Sequence, residues 1–251
     1  MPQSLTIGQG ADARRIAVIS REGKGPQVVW LGGFKSDMRS TKVAALDAWA
    51  EGAGRAFLRF DYSGHGESTG VFEDGTISRW LEEALEVIGR FGSPRPILVG
   101  SSMGGWIALL AARRLAGSDR APSGIVLIAP AVDMTERLMW ERFPEEIRKS
   151  VEETGVYHRP SAYSEDPYAI TRGLIEDGRN HLLFGQTIET GCPVHILQGM
   201  LDPDVPWSHA MQLVEHLPGD SVSLTLIKDG DHRLSRDEDL ERLIAAVEAM
   251  G

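Results

Sequence analysis

A serine side chain can carry out acyl transfer where a tight backbone turn exposes its hydroxyl and nearby N–H groups face the oxyanion that forms. Two stretches of this 251-residue chain have the spacing G-x-S-x-G. One is Gly100-Ser101-Ser102-Met103-Gly104, centred on Ser102; the other runs from Gly66 to Gly70 and is centred on Ser68. The chemistry needs more than spacing: a strand must end at the serine and a helix must begin there. Ser102 has both, with the apolar run "PILV" before it and the apolar-faced pattern "MGGWIALLAARRLAG" after it. The amino terminus of such a helix points its N–H groups at a developing negative charge. Ser68 is followed by the turn-like "VFEDGT", so the choice falls on Ser102. Ser101 fills the variable position and is expected to point away from the site.

A serine hydroxyl needs a base, and the base needs a third group to fix its tautomer. Of seven histidines, His195 lies in a strand pattern, and His209 and His216 lie in an amphipathic helix pattern. His158 and His181 fall in an irregular segment, and His65 in the glycine-rich "DYSGHGES". His232, in "KDGDHRLSR", follows the last strand pattern and precedes the last helix, so its loop reaches the same sheet edge as Ser102. The acid is expected from a strand end between the two. Asp202, after "PVHILQ", is favoured, with Asp204 and Asp133 as alternatives. Two N–H donors must then face the oxyanion. Met103, next to the serine, supplies one, and Phe34, after Gly32-Gly33, is expected to supply the other.

These residues need a scaffold that brings several strand ends to one edge. Strand-length apolar runs alternate with helical patterns, the signature of an α/β chain with a mostly parallel central sheet flanked by helices. Strands are predicted at 15–20, 27–33, 55–62, 96–100, 124–132, 193–199 and 221–230, and helices at 40–54, 78–92, 103–117, 208–219 and 237–250. Ser40 is the expected start of the first helix. Between 134 and 191 the alternation lapses into charged, helix-like stretches and a Pro- and Tyr-rich middle. We read this as a helical cap inserted into a single domain, 1–251. Leu138, Met139, Trp140 and Phe143 form an apolar stripe in it, suited to covering an acyl chain or to packing the cap on the body.

The bulk properties narrow the function classes. A net charge of −10 disfavours nucleic-acid binding, which needs a basic face. The single cysteine, Cys192, allows no intramolecular disulfide and no multi-cysteine metal site. No 18-residue apolar run or signal-like amino terminus is visible, so neither an integral membrane segment nor secretion is expected, and the location expected is cytoplasmic. No metal or cofactor is expected. The partner is a small-molecule or acylated-protein substrate.

From about Gln27 to the final helix the chain resembles the α/β-hydrolase family. "FDYSGHGES", "LVGSSMGGW", "QGMLDPDVPW", "GDHR" and the cap stretch "SAYSE" are similar to a branch that includes the mitochondrial palmitoyl-protein thioesterase, also described as an acyl-glucuronide esterase. The resemblance implies an α/β-hydrolase fold, a triad of Ser102, Asp202 and His232, and cleavage of acyl thioesters or esters. The enzymatic alternative is a short-chain carboxylesterase; a non-catalytic binding protein of the same fold is disfavoured by the presence of all three residue types. Many family members carry His-Gly before the oxyanion donor, where this chain has Gly32-Gly33, so a differently held donor loop is expected.

Overall fold

The structure is a computed structural model that describes residues 3–160, 167–219 and 221–251. In chain order the body begins with β1 (Gln3–Ile7), β2 (Arg14–Arg21), β3 (Lys24–Leu31), α1 (Thr41–Gly52) and β4 (Arg55–Phe60). It continues with α2 (Ile77–Phe91), β5 (Ile97–Ser101), α3 (Met103–Leu115) and β6 (Gly124–Ile128). Between β6 and the next body strand lie a π-helical turn (Met134–Met139), a 3-10 turn (Trp140–Arg142), α4 (Glu145–Thr154), β7 (Val156–Arg159), β8 (Tyr168–Thr171) and α5 (Arg172–Gly178). The body resumes with β9 (Val194–Gly199), α6 (Trp207–His216), β10 (Val222–Ile227) and α7 (Asp237–Glu248).

Eight strands form one sheet in the order β1-β2-β4-β3-β5-β6-β9-β10. β1 and β2, and β2 and β4, pair antiparallel; the remaining neighbours are parallel. Parallel strands carry helices on both faces and so are apolar on both, and "ILVGS" of β5 is buried throughout. The period of two sorts its side chains: Ile97 and Val99 pack with Val43 and Leu46 of α1 and Leu243 and Val247 of α7, while Leu98 joins Trp80 of α2 and Ile107 of α3. All parallel strands therefore end at one edge, where loops can hold a site.

The predicted strands and helices of the body are present. Ser40 does precede α1, but its side chain makes no capping hydrogen bond. Three strands are additions. β1 is a five-residue edge strand with only Ile7 buried, too short and too exposed to show an apolar period. β7 and β8 pair as a four-residue antiparallel ladder from Val156–Thr171 to Arg159–Tyr168, with only Ala169 and Ile170 buried. The inserted segment is therefore not purely helical. The charged, helix-like run "TERLMWERFPEEIRKSVEETG" is broken into two turns and α4, with Pro144 immediately before α4, where a proline N–H is not needed. The stretch "SAYSE", residues 161–165, lies outside the described residues.

One buried ion pair ties sheet to helix. Glu83, fully buried in α2, accepts from Arg14 Nε of β2 and from the Ser63 N–H at 2.8 Å. Replacing Arg14 would leave that carboxylate uncompensated, which costs about 3–5 kcal/mol. Arg14→Met is expected to lower the urea-unfolding free energy by that amount; a change within 0.5 kcal/mol, as an ordinary surface substitution gives, would show that the pair contributes little.

Candidate active site

The turn between β5 and α3 holds Ser102 at φ 54°, ψ −119°, a conformation unfavourable for a residue with a Cβ. Its own backbone pins it there. The Ser102 N–H donates to Ile128 O at 2.8 Å, and its carbonyl accepts from Ala131 and Gly105 N–H at 3.1 and 2.9 Å. The turn also lies hard against β3: a Cβ on Gly104 would sit 2.0 Å from Leu31 O. Only glycine permits that approach.

His232 follows β10 and stands between Ser102 and Asp202. Its Nε2 lies 3.2 Å from Ser102 Oγ, and its Nδ1 lies 2.7 Å from Asp202 Oδ2. The Asp202 side chain is fully buried. Its Oδ1 accepts the N–H groups of Asp204 and Val205, both at 2.8 Å, and Gln198 Nε2 donates to Oδ2 at 3.2 Å. The carboxylate is fixed before it meets the imidazole. It leaves Nδ1 as the protonated nitrogen and Nε2 free to accept from Ser102.

The other candidates have other places. The Ser68 hydroxyl donates to Asp61 O at 2.6 Å and accepts from the Ala17 N–H at 2.8 Å, joining two strands. Asp133, which burial pushes above the usual carboxylate range, accepts the N–H groups of Leu183 and Phe184 at 2.8 and 3.0 Å and closes the base of the inserted segment. Asp204 lies 3.6 Å from Arg159 of β7 and is not the cap of α6, which Pro206 precedes. Ser101, expected to point away, also borders the cavity described below.

Met103 begins α3, and among the described residues its N–H has no protein acceptor; the same holds for Phe34. Both amides flank the serine turn: Gly33, before Phe34, is so close that a Cβ on it would lie 3.4 Å from Ser102 Cβ. The loop carrying Phe34 is held by His65. Its Nε2 accepts from the Lys35 N–H at 3.0 Å, and its Nδ1–H donates to Ser63 O at 3.0 Å. The imidazole is buried among Phe72, Trp80 and Tyr62. Burial, and secondarily the Lys35 charge, push its pKa down to about 4 against the bond to Ser63, so it stays a neutral acceptor. A histidine from "DYSGHGES" thus steadies the loop that lacks a His-Gly pair. Glycine-rich context gave His65 no role in the sequence, because the 30 residues separating it from Lys35 are closed only by the sheet.

A cavity of about 540 Å³ opens over Ser102 and His232. Leu138 and Met139 border it, as expected of the apolar stripe, together with Met134. Trp140 and Phe143 do not. Trp140 lies under the guanidinium groups of Arg148 and Arg179, and Phe143 packs edge-on against Tyr157 and borders a smaller neighbouring cavity. The break from π-helical to 3-10 turn rotates the stripe apart. Sequence reading also missed Lys42, Tyr168 and Arg233 on the cavity wall.

Among the described residues, Asp202, Asp204 and His232 form the one group whose ligand atoms converge, within 4.8 Å. Both Asp202 oxygens already accept from N–H donors, so a cation there would have to displace His232 and the backbone amides. The donor set suits a proton relay better than a metal.

A doubly wound sheet that brings serine, histidine and aspartate to its carboxyl edge in that hydrogen-bonded order defines a hydrolase scaffold. Residues 28–246 match the alpha/beta hydrolase family, and the chain belongs to it. It is 33% identical to the human protein named "Palmitoyl-protein thioesterase ABHD10, mitochondrial" over 246 residues, covering 98% of this chain and 79% of that protein. A putative hydrolase from Agrobacterium vitis S4 superimposes with TM-score 0.96 at 52% identity, covering 100% of this chain and 98% of that one. Mouse alpha/beta hydrolase domain-containing protein 10 does so at 0.88 and 30%, covering 99% and 98%.

His209, whose Nε2–H donates to Val132 O at 2.8 Å, is likewise pushed down to about 4, chiefly by burial and then by Arg142 and Arg137. Both histidines are neutral when folded and protonate near 6.5 when unfolded. Below 6.5 the unfolded chain binds more protons, so stability is lost as pH falls from 6.5 towards 4, on the order of 3 kcal/mol per histidine. Urea titrations from pH 7 to 4.5 are expected to show this slope, flattened in His209→Gln; an unchanged slope in the variant would place its ordinary pKa in the fold.

Proposed function

We propose that the chain hydrolyses carboxylic esters and acyl thioesters by two-step acyl transfer through Ser102, His232 and Asp202. The observation that carries this is the continuous relay from Ser102 Oγ to Nε2 at 3.2 Å and from Nδ1 to Asp202 at 2.7 Å. The named thioesterase relatives support the same chemistry.

His232 Nε2 takes the Ser102 proton as Oγ attacks the acyl carbonyl, and the buried Asp202 carboxylate stabilises the imidazolium. The oxyanion is held by the N–H groups of Met103 and Phe34, neither of which has a competing acceptor among the described residues. Nε2 then gives its proton to the departing oxygen or sulfur. Water enters, His232 removes its proton, and collapse of the second tetrahedral intermediate releases the acid and restores Ser102. Acyl groups rest against Met134, Leu138 and Met139. Long-chain thioesters such as palmitoyl, or acyl glucuronides, are the substrate classes favoured by the thioesterase relatives and by the resemblance; a short-chain ester is the alternative outcome.

A panel of thioesters and oxyesters with two to sixteen acyl carbons tests this. Ser102→Ala is expected to lose at least about 10⁴-fold in kcat while keeping its unfolding free energy; retained turnover would remove Ser102 from the mechanism. A rise in kcat/KM with chain length, strongest for thioesters, is expected of the long-acyl reading. A maximum at two to four carbons would make the protein a small-ester hydrolase.

His65→Ala frees the Phe34 loop and is expected to lower kcat by about 10–100-fold with little change in KM, since a misplaced oxyanion donor acts on the transition state alone. An equal rise in KM with kcat unchanged would show that the loop binds substrate instead.

A further inference from the structure

The loop that carries the Phe34 amide is gripped by the inserted segment as well as by the body. Its backbone needs that support. Gly32 and Gly33 precede Phe34 and leave the Gly33–Phe34 peptide free to turn, so its direction must be fixed from the far side. There Lys35 holds a left-handed φ of 57°, which a residue with a Cβ keeps only where its surroundings impose it. His65 secures the Lys35 N–H.

The side chains of Phe34 and Lys35 reach further. The Phe34 ring meets Phe72 and Trp80 of the body edge-on, at centroid distances of 4.9 and 5.9 Å. A third edge-on partner, at 6.0 Å and 85°, is Tyr168, the first residue of β8 in the inserted segment. Lys35 reaches the same point. Its Nζ lies 5.6 Å over the Tyr168 ring and donates to the carbonyl of Pro167 at 3.1 Å, across 132 residues of chain. Two consecutive residues of the donor loop thus grip two consecutive residues of the inserted segment. Tyr168 is half-buried and also borders the active-site cavity.

We infer that the inserted segment takes part in oxyanion stabilisation: Tyr168 and Lys35 are positioning residues that hold the Phe34 N–H at the tetrahedral intermediate. This rests on the donor assignment in the reading above. Tyr168 acts through its ring, because an edge-to-face contact fixes the Phe34 side chain in direction as well as distance. Lys35 acts through its ammonium, whose bond to Pro167 ties the donor loop to the start of β8. A displaced donor loses strength where charge develops, while binding of the uncharged ground state changes little. The segment that lines the cavity with Met134, Leu138 and Met139 therefore also bears on the chemical step.

Hydrolysis of 4-nitrophenyl butyrate by single variants tests this. Tyr168→Ala is expected to lower kcat about tenfold, the scale of one aromatic pair, and to leave KM within about twofold. Tyr168→Phe keeps the ring and is expected to bring kcat back to within about twofold of the unsubstituted enzyme. Lys35→Met, at an exposed position, is expected to lower kcat about threefold, and it gives a reading even where Tyr168→Ala fails to fold. An oxyanion probe supplies a measurement without turnover. Ser102 Oγ adds to the carbonyl carbon of a hexyl trifluoromethyl ketone, its proton passes to His232 Nε2, and the carbonyl oxygen becomes the oxyanion. The inhibition constant is expected to rise in Tyr168→Ala by the same factor as kcat falls. An unchanged kcat, a rise in KM alone, a Tyr168→Phe as slow as Tyr168→Ala, or an unchanged inhibition constant would each overturn the inference. Loss of turnover in Ser102→Ala beside full kcat in Tyr168→Ala would keep the triad and remove the inserted segment from the chemistry. Turnover that survives Ser102→Ala would remove the triad itself.

Discussion

The site depends on the close contact between the ends of three neighbouring strands, β3, β5 and β6. Ser102 occupies a backbone conformation that a free chain would abandon, and it is kept there because its N–H is bonded to the end of β6 and its carbonyl to the segment beyond. The carbonyl of Leu31, at the end of β3, fills the space where Gly104 would carry a side chain. Strain of this kind persists only where the surroundings over-determine it. The same contact sets Gly33, and hence the Phe34 amide, beside the serine.

A chain of polar contacts extends this rigidity to the donor loop. Arg14 fixes Glu83, Glu83 accepts from Ser63, Ser63 O accepts from His65, and His65 accepts from Lys35 next to Phe34. Asp61 adds a second brace, accepting the Met38 N–H at 2.6 Å and the Glu67 N–H at 2.8 Å. A Cβ on Gly66 would lie 2.1 Å from that carboxylate, which explains the glycine between His65 and Glu67. "DYSGHGES" therefore braces the site: Ser68 and Asp61 lock strands and loops together, and His65 holds the Phe34 loop. A buried network of this sort is costly unless every member is satisfied, and here each link has its partner.

The inserted segment supplies the other half of the cavity. Asp133 anchors its two ends by accepting from Leu183 and Phe184, so the apolar side chains of the π-helical turn hang over Ser102 from a fixed base. Lys42 of α1 and Arg233 of the His232 loop line the opposite wall, joined across 191 residues by the bond from the Lys42 ammonium to the Arg233 carbonyl.

The sequence by itself determined the scaffold and the side chains proposed as reacting groups. Alternating apolar runs specify a parallel sheet whose strands end at one edge, and Ser102, His232 and Asp202 each directly follow such a run or its loop. Local pattern suffices there because the period of a strand and the position of its end are properties of neighbouring residues. Pattern favoured Asp202 but left Asp204 and Asp133 open, since all three follow strands; the fold shows which carboxylate meets the imidazole. The short ladder of β7 and β8, the rotation of Trp140 and Phe143 away from the cavity, the bracing by His65 and the pairing of Lys42 with Arg233 were likewise decided by tertiary structure. The His65–Lys35 and Lys42–Arg233 contacts join residues 30 and 191 apart, and such contacts leave no periodic trace in the sequence; the four-residue ladder and the broken stripe are local but too short to show a period.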